Sequence, residues 1–163
     1  MTQFNAFSRD ERALYNPAFT GLLTARAVQG HQAQAGTTCP VAVATLSAVM
    51  ALQPAIRTVL PSSVRSGLNR WVQGNTPVRA SMALNATALA DTVRPGLLMA
   101  LQSQLLACDS QGRLFVPSGA LRQTITGESE DVIEIQKAAR LLGRWLPSTG
   151  SISTVMTLLG VRP

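Results

Sequence analysis

The chain has 163 residues, of which 46% are hydrophobic and 13% are charged, a composition that excludes a disordered protein. Its length suits one core, so we predict a single compact domain over residues 1–163. Fourteen basic and eight acidic residues give a net charge of +6, and thirteen of the bases are arginines. Arginine pairs well with carboxylates and phosphates, so these charges suit either a scattered solvated surface or docking to an acidic protein face or a phosphate backbone.

The basic residues dominate the first half of the chain. No acidic residue lies between Glu11 and Asp91, whereas six arginines do. They are Arg12, Arg26, Arg57, Arg65, Arg70 and Arg79. This half is therefore cationic, although its arginines do not form a continuous run.

Helix signals follow one another along this half. Ser8 suits the cap of a short helix over residues 8–14, and Asn16 followed by Pro17 starts a longer helix. The longer helix ends in a loop rich in glycine and threonine before Pro40. Further helices are predicted over residues 41–52, 53–61 and 64–74, with Trp71 in the core.

Arg26 lies on the apolar side of the helix that Pro17 starts, in the same stripe as Phe19. A cation on such a stripe has two explanations. Its stem packs while its guanidinium reaches water, or the charge is paired across an interface. The second explanation predicts that Arg26→Ala weakens partner binding more than folding.

Two helices and a β-hairpin are predicted in the middle of the chain. The helices cover residues 76–90 and 93–106, with Pro95 near the start of the second, and residues 109–112 form the turn of the hairpin. Helix, helix, hairpin is the order of a winged helix, so residues 76–117 predict a winged-helix-like unit. Its second helix carries few basic residues for a DNA reader, which favours protein docking.

The strongest helix signal covers residues 129–147. Ser129 suits its N-cap, and Pro147 stops it. Apolar residues recur every three or four positions, and the basic residues Lys137, Arg140 and Arg144 lie nearly opposite. One face therefore suits the core, and the other suits solvent or an anionic partner.

Trp145 belongs to neither face of this helix. It is expected either to cover the edge of the core or to anchor a partner, since Trp and Arg are enriched at interface hot spots. A last helix over residues 151–159 ends at Gly160, and the following Arg162 and Pro163 suit a tail held against the core or a partner. The predicted fold is mainly α with a small β-hairpin, its winged-helix-like unit packed by the N- and C-terminal helices.

Residues that could carry catalysis are few. His31 is the only histidine, and a dyad with Cys39 would support a cysteine-dependent hydrolase, but no third orienting group is evident. Two cysteines and one histidine do not suffice for a structural zinc site, and no phosphate-binding loop of the GxxxxGK[ST] or GxGxxG type occurs. We expect no enzymatic activity, no metal and no cofactor.

We expect neither a signal peptide nor a membrane span. Residues 1–12 lack the apolar stretch of a signal peptide. The most apolar segment, residues 41–52, is shorter than the ~20 residues that a membrane-spanning helix needs. We expect a cytoplasmic protein that does not enter a membrane.

Ordered motifs along nearly the whole chain resemble those of the middle component of bacterial three-component ABC-ATPase systems. In chain order they are Leu14-Tyr-Asn-Pro-Ala-Phe19, Leu22-Leu23, Arg26-Ala27, Gly30, Leu60-Pro61, Trp71, Gly143-Arg-Trp-Leu146, Gly150, Thr154 and Leu159-Gly-Val-Arg-Pro163. One departure is His31, where that family more usually has a tyrosine.

The resemblance implies a non-catalytic adaptor between an SMC- or Rad50-like ABC ATPase and an effector, often a nuclease. The system would be of the Lamassu type, acting against phages and plasmids, and DNA contact would be indirect or non-specific. A stand-alone winged-helix DNA-binding transcriptional regulator is the alternative. The residues expected at the partner interface are Asn16, Pro17, Phe19, Arg26, Arg140, Arg144, Trp145 and Arg162.

Overall fold

The computed structural model describes residues 8–162, which are mainly helical with one small antiparallel hairpin. The helices are α1 (Arg9–Leu14), α2 (Pro17–Ala35), α3 (Val41–Ala51), α4 (Pro54–Arg57), α5 (Leu68–Gly74), α6 (Thr76–Gln102), α7 (Glu130–Trp145) and α8 (Ile152–Leu159). The strands are β1 (Ala107–Cys108) and β2 (Leu114–Phe115), and a 3-10 turn over Leu146–Thr149 follows α7. The prediction of a mainly α fold with a small hairpin is confirmed. The polar N-terminal segment of residues 1–12 lies partly outside the described residues.

Helix α2 lies at the centre and packs against α3, α6 and α7. Its residues 23–31 are all buried, which is unusual for a helix of a small protein and follows from its having neighbours on several sides. Glycines permit the closest approaches. A Cβ atom on Gly143 of α7 would lie closer than 3.0 Å to the backbone of Ala27, and one on Gly96 of α6 would meet the backbone of Gly21.

Two tryptophans join α5 and α7 inside the core. The rings of Trp71 and Trp145 meet edge to face, with centroids 5.1 Å apart and an interplanar angle of 89°. Each indole N–H donates to a backbone carbonyl, that of Val59 for Trp71 and that of Ser66 for Trp145, both at 2.6 Å. The prediction that Trp71 lies in the core is confirmed.

Helix α6 is continuous over 27 residues, so the predicted break near residue 91 is wrong. Pro95 is exposed, and the backbone bond that it removes is the one to the carbonyl of Asp91, on the side where water can replace it. The opposite face packs without interruption through Leu89, Val93 and Gly96. The two helices before the hairpin are therefore α5 and α6, and the winged-helix-like unit of residues 76–117 stays a prediction.

The hairpin is short and is attached to the loop after α2. Ala107 pairs with Phe115 and Cys108 with Leu114, while Cys39 exchanges two backbone hydrogen bonds with Leu114 on the other side. The carboxylate of Asp109 accepts the backbone N–H groups at positions 111 and 113 across the turn. These bonds lower the pKa of Asp109, the N–H of residue 113 contributing most.

The C-terminal helix α8 closes with a Schellman motif. Gly160 has φ 74°, its N–H donates to the carbonyl of Thr157, and the N–H of Val161 donates to that of Met156. Val161 packs against the core, as the sequence predicts for a held tail. Arg162 is exposed, and Pro163 lies outside the described residues. Within residues 8–162, no helix has both the length and the apolar character needed to span a membrane.

Candidate interaction surface

Three basic side chains of α7 surround a shallow groove of about 380 Å³. We call it the cationic groove; it is lined by Ile125, Lys137, Arg140, Leu141 and Arg144. The basic residues are three and four positions apart, so they share one face of the helix, as predicted. Apolar side chains contribute part of the lining, which gives the groove both charge and surface that a partner could bury.

The three cations differ in how far they are already engaged. Lys137 forms an exposed ion pair with Glu134 at 2.8 Å, and this contact raises the lysine's pKa. Arg140 donates to the backbone carbonyl and side-chain oxygen of Gln123, at 3.0 and 3.2 Å. Arg144 has no hydrogen bond or ion pair within residues 8–162. At least one guanidinium of the groove is therefore uncommitted.

Arg26 is buried beneath this region, with 4% of its surface exposed. Its guanidinium donates to the side-chain oxygens of Gln29 and Gln136, at 3.0 and 3.1 Å, and to the carbonyls of Arg122 and Thr124, at 2.5 and 3.4 Å. All the acceptors are neutral. Burial, and secondly the charge of a neighbouring arginine at position 140, lower the pKa of Arg26.

The same network holds the loop of residues 122–126, which includes the groove residue Ile125. Gln29 donates to the carbonyl of Arg122 at 3.2 Å, and Gln136 donates to that of Thr126 at 2.8 Å. Together with the bonds from Arg26 and from residue 140, these contacts satisfy four carbonyls of an irregular segment. We call this set of contacts the Arg26 network. It fixes one wall of the cationic groove to α2 and α7.

The predicted interface residues are distributed unevenly. Arg140 and Arg144 line the cationic groove, and Arg26 supports it from below. The explanation in which the guanidinium of Arg26 reaches water is wrong, because the group is buried and bonded to residues distant in the chain. Its role at an interface, or as the support of one, stays a prediction. Trp145 is fully buried, so its expected place at the border of the helix is wrong; the ring enters the core between α5 and α7. It therefore offers no surface to a partner in this structure.

The other predicted interface residues lie at helix ends. Asn16 caps α2 by accepting the N–H of Phe19 at 2.9 Å, and Pro17 occupies the first turn, as predicted. Phe19 is half-buried and packs against the core. Arg162 is exposed at the end of the described chain. No hydrogen bond within residues 8–162 joins these positions to the cationic groove, and their role at an interface stays a prediction.

The chain matches a known protein family over nearly all of its length. Residues 4–163 match the family model described as ABC-three component (ABC-3C) system Middle Component 3. The chain belongs to this family. No curated protein and no solved structure matches this middle component. The resemblance to a middle component of an ABC three-component system is thereby confirmed.

Sequence reasoning missed the glutamines that hold the groove of this middle component. Gln136 is buried on the apolar stripe of α7, four residues after Val132, and Gln29 is buried one helical turn after Arg26. A buried polar side chain needs a partner, so a glutamine on an apolar stripe was the available signal. Their partners lie in a loop about 90 residues away from α2 in sequence, which no local pattern indicates.

The middle component's cysteine and histidine do not form a dyad. Cys39 is fully buried, which raises the pKa of its thiol to about 12, and the thiol donates to the carbonyl of Pro40 instead of to His31. Both ring nitrogens of His31 lack a hydrogen-bond partner within the described chain, although backbone groups of Thr38 and Gly143 lie near enough to oppose the lowering of its pKa. No group of three or more metal-ligating residues occurs among residues 8–162. The geometry gives a cysteine-dependent hydrolase no support.

His31 is expected to make the folding of the middle component sensitive to acid. Burial, and secondly the charge of Arg113, lower the pKa of His31 below its usual 6.5. His31 therefore binds a proton more readily in the unfolded chain than in the folded chain. The contribution of neutral His31 to the free energy of unfolding is fully present above about pH 6.5 and is lost as pH falls towards the folded-state pKa. The free energy of unfolding should be lower at about pH 5.5 than at about pH 7.5, by no more than about 1.4 kcal/mol, the limit that the unfolded-state pKa sets.

His31→Phe is the matched variant for this measurement, because it keeps an aromatic ring and removes the titration. It should abolish the difference between the two pH values. Asp109, whose pKa is lowered, titrates below this range and does not contribute. Equal pH dependence in both proteins would assign the effect to another group.

Proposed function

We propose that this middle component is a non-catalytic adaptor that links an SMC- or Rad50-like ABC ATPase to an effector, often a nuclease. The system would be a bacterial defence of the Lamassu type against phages and plasmids, working in the cytoplasm. In this scheme the ATPase senses foreign DNA. The middle component holds the effector idle or passes on the ATPase's change of state.

Membership of the middle-component family is the observation that carries this proposal, since its members belong to a multi-component ABC system. The cationic groove supports a docking role. Its lining combines basic and apolar side chains, as protein interfaces do, where arginine is enriched near a core of apolar residues. An acidic segment of a partner would fit it by charge.

The Arg26 network supports the same role by making the groove rigid before a partner arrives. A loop that must be ordered on binding costs about 0.5–1.5 kcal/mol for each side chain immobilised. Here the loop carbonyls are already bonded to α2 and α7, so a partner meets a formed wall. Asn16, Pro17, Phe19 and Arg162 extend the proposed contact region, and Arg26 contributes as its support.

A protein partner is favoured over specific DNA because the cations of the groove are few and closely spaced. Lys137 and Arg144 are seven residues apart, or about 10 Å along a helix. A sequence-specific reader instead presents several side chains to base edges and makes many phosphate contacts. Any DNA contact through this surface would be indirect or non-specific.

Charge reversal at the groove is expected to weaken binding to the ATPase or the effector at least about tenfold. The variant is Lys137→Glu with Arg144→Glu, which leaves the bonds of Arg140 to the loop intact. The control is Arg12→Glu with Arg70→Glu, two exposed arginines outside the groove, which changes net charge by the same amount. Affinities would be measured by calorimetry with the ATPase and the effector encoded by neighbouring genes.

The control should change affinity less than about threefold, because charges outside an interface act mainly through long-range attraction. Equal losses of affinity in both variants would mean that the groove contributes only through the net charge of the protein. Mobility shifts on candidate operator and random DNA provide the second arm. If the protein prefers one DNA sequence over the others by several kcal/mol, as specific regulators do, the adaptor hypothesis is wrong and the transcriptional-regulator hypothesis is supported.

A further inference from the structure

The outward face of α6 exposes large apolar side chains. Leu84 is 81% exposed, Leu98 is 59% exposed and Met99 is 45% exposed. Between the two leucines, Ala88, Asp91 and Pro95 continue the same face at helical spacing, and all three are exposed. Only three of the 27 residues of this helix are charged, whereas the outer face of a solvated helix is normally rich in charge.

This face is symmetric about Asp91. Leu84 and Leu98 each lie seven residues from it, which is about 10 Å along the helix on either side. When two copies of α6 lie antiparallel with a two-fold axis at Asp91, Leu84 of each copy faces Leu98 of the other. At the next positions a large side chain faces a small one, since Met99 then lies opposite Ala83.

The charges of the face are symmetric in the same sense. Asp91 and Arg94 form an exposed ion pair at 2.5 Å, with 62% and 70% of their side chains accessible. Two copies related by the axis bring two carboxylates and two guanidiniums together, so each Arg94 lies between its own Asp91 and that of the second copy. A two-fold interface requires such a self-complementary patch. An acidic or a basic partner would instead set one of these charges against a like charge.

We propose that the outward face of α6 mediates an antiparallel, two-fold association of the middle component with a second copy of itself. This association goes beyond the adaptor role and does not rest on it. About a dozen residues of α6 point outward, against roughly 20–30 per side in an interface of standard size. The dimer is therefore weak on its own, with a dissociation constant in the micromolar range.

Sedimentation velocity of the full chain tests the association. Between about 5 and 500 µM the wild-type protein should shift from monomer to dimer. Leu84→Glu with Leu98→Glu should remain monomeric at the highest concentration and keep the wild-type circular dichroism, because both side chains are exposed. The control, Val41→Glu with Ala42→Glu, adds the same two charges at exposed apolar residues of α3, and it should dimerise as the wild type does.

Disulfide trapping tests the register. In a Cys108→Ser background, which removes the exposed native thiol, a mixture of Leu84→Cys and Leu98→Cys proteins should form a cross-linked dimer. Neither protein alone should, because in the antiparallel pair the two copies of residue 84 are about 20 Å apart.

Three outcomes would overturn the proposal. A wild-type protein that stays monomeric up to about 500 µM excludes the dimer. Self-cross-linking of Leu84→Cys alone indicates a parallel pair. If the wild-type protein is monomeric and Leu84→Glu with Leu98→Glu abolishes binding to the ATPase or the effector, the face binds that component instead of a second copy.

Discussion

Gly143→Ala is expected to lower the free energy of unfolding by about 3 kcal/mol or more. This is the largest effect that we expect from adding one methyl group to the chain. The added Cβ would meet the carbonyl and the Cα of Ala27 closer than 3.0 Å. These are backbone atoms of α2, so no side chain can rotate away, and α7 would have to separate from the central helix. The better helix propensity of alanine offsets only about 1 kcal/mol.

Gly74→Ala is the matched control. Gly74 ends α5, and a Cβ placed there meets no atom within 4 Å. Its free energy of unfolding should stay equal to that of the wild type or rise by up to about 1 kcal/mol. Urea denaturation followed by circular dichroism would compare the variants. An unchanged midpoint for Gly143→Ala would show that α2 and α7 can separate at little cost, against the close packing described above.

Elements whose ends and faces are marked locally could be predicted from the sequence. Ser129 caps α7 as expected, accepting the N–H of Val132 at 3.3 Å, and the basic stripe lies opposite the core. Asn16 caps α2, and Gly160 ends α8 with a positive φ. In each case the cap, the apolar spacing and the charge indicate the same boundary.

The break assigned near residue 91 shows where local signals fail. Asp91 is a good cap and Pro95 suits a first turn, so both favour a new helix there. The buried side chains of Leu89 and Val93 instead pack as one face, and the missing hydrogen bond lies on the solvent side. Tertiary packing outweighs the two local preferences for a helix start. The spacing of residues within one segment does not indicate this packing.

The environments of Arg26 and Trp145 were beyond prediction for a different reason. The sequence marks both residues as unusual, since Arg26 is a cation on an apolar stripe and Trp145 lies on neither face of its helix. Their partners are remote: Gln136 is 110 positions from Arg26, and the carbonyl of Ser66 is 79 positions from Trp145. Burial of each depends on contacts that only the assembled helices create.

Arg26→Met is expected to lower the free energy of unfolding by about 2–4 kcal/mol. Methionine fills much of the space of the arginine stem but donates no hydrogen bond. The substitution leaves the buried side-chain oxygens of Gln29 and Gln136 without their donor from Arg26, and the carbonyl of Arg122 keeps only its bond from Gln29. The gain from no longer burying a charge offsets part of this loss, because the acceptors of the guanidinium are neutral and do not fully replace its hydration.

Arg140→Met is the control, since it removes an arginine from the adjacent helix face that bonds only to Gln123. It should cost about 1 kcal/mol or less. Limited trypsin digestion adds a local measurement: Arg26→Met should reduce the protection of the loop against cleavage after Arg122 more than the protection of α5 against cleavage after Arg70. Wild-type stability in Arg26→Met would mean that the network contributes nothing to folding.

The same variant separates support of an interface from folding alone. An arginine that is 4% exposed cannot touch a partner directly, so its effect on binding must pass through the loop of residues 122–126. At a temperature where Arg26→Met remains folded, we expect its affinity for the ATPase or effector to fall together with the protection of this loop, and Arg26→Lys to recover part of both. Full affinity alongside lost loop protection would confine Arg26 to the stability of the fold and leave the groove's binding to its exposed cations, Lys137 and Arg144.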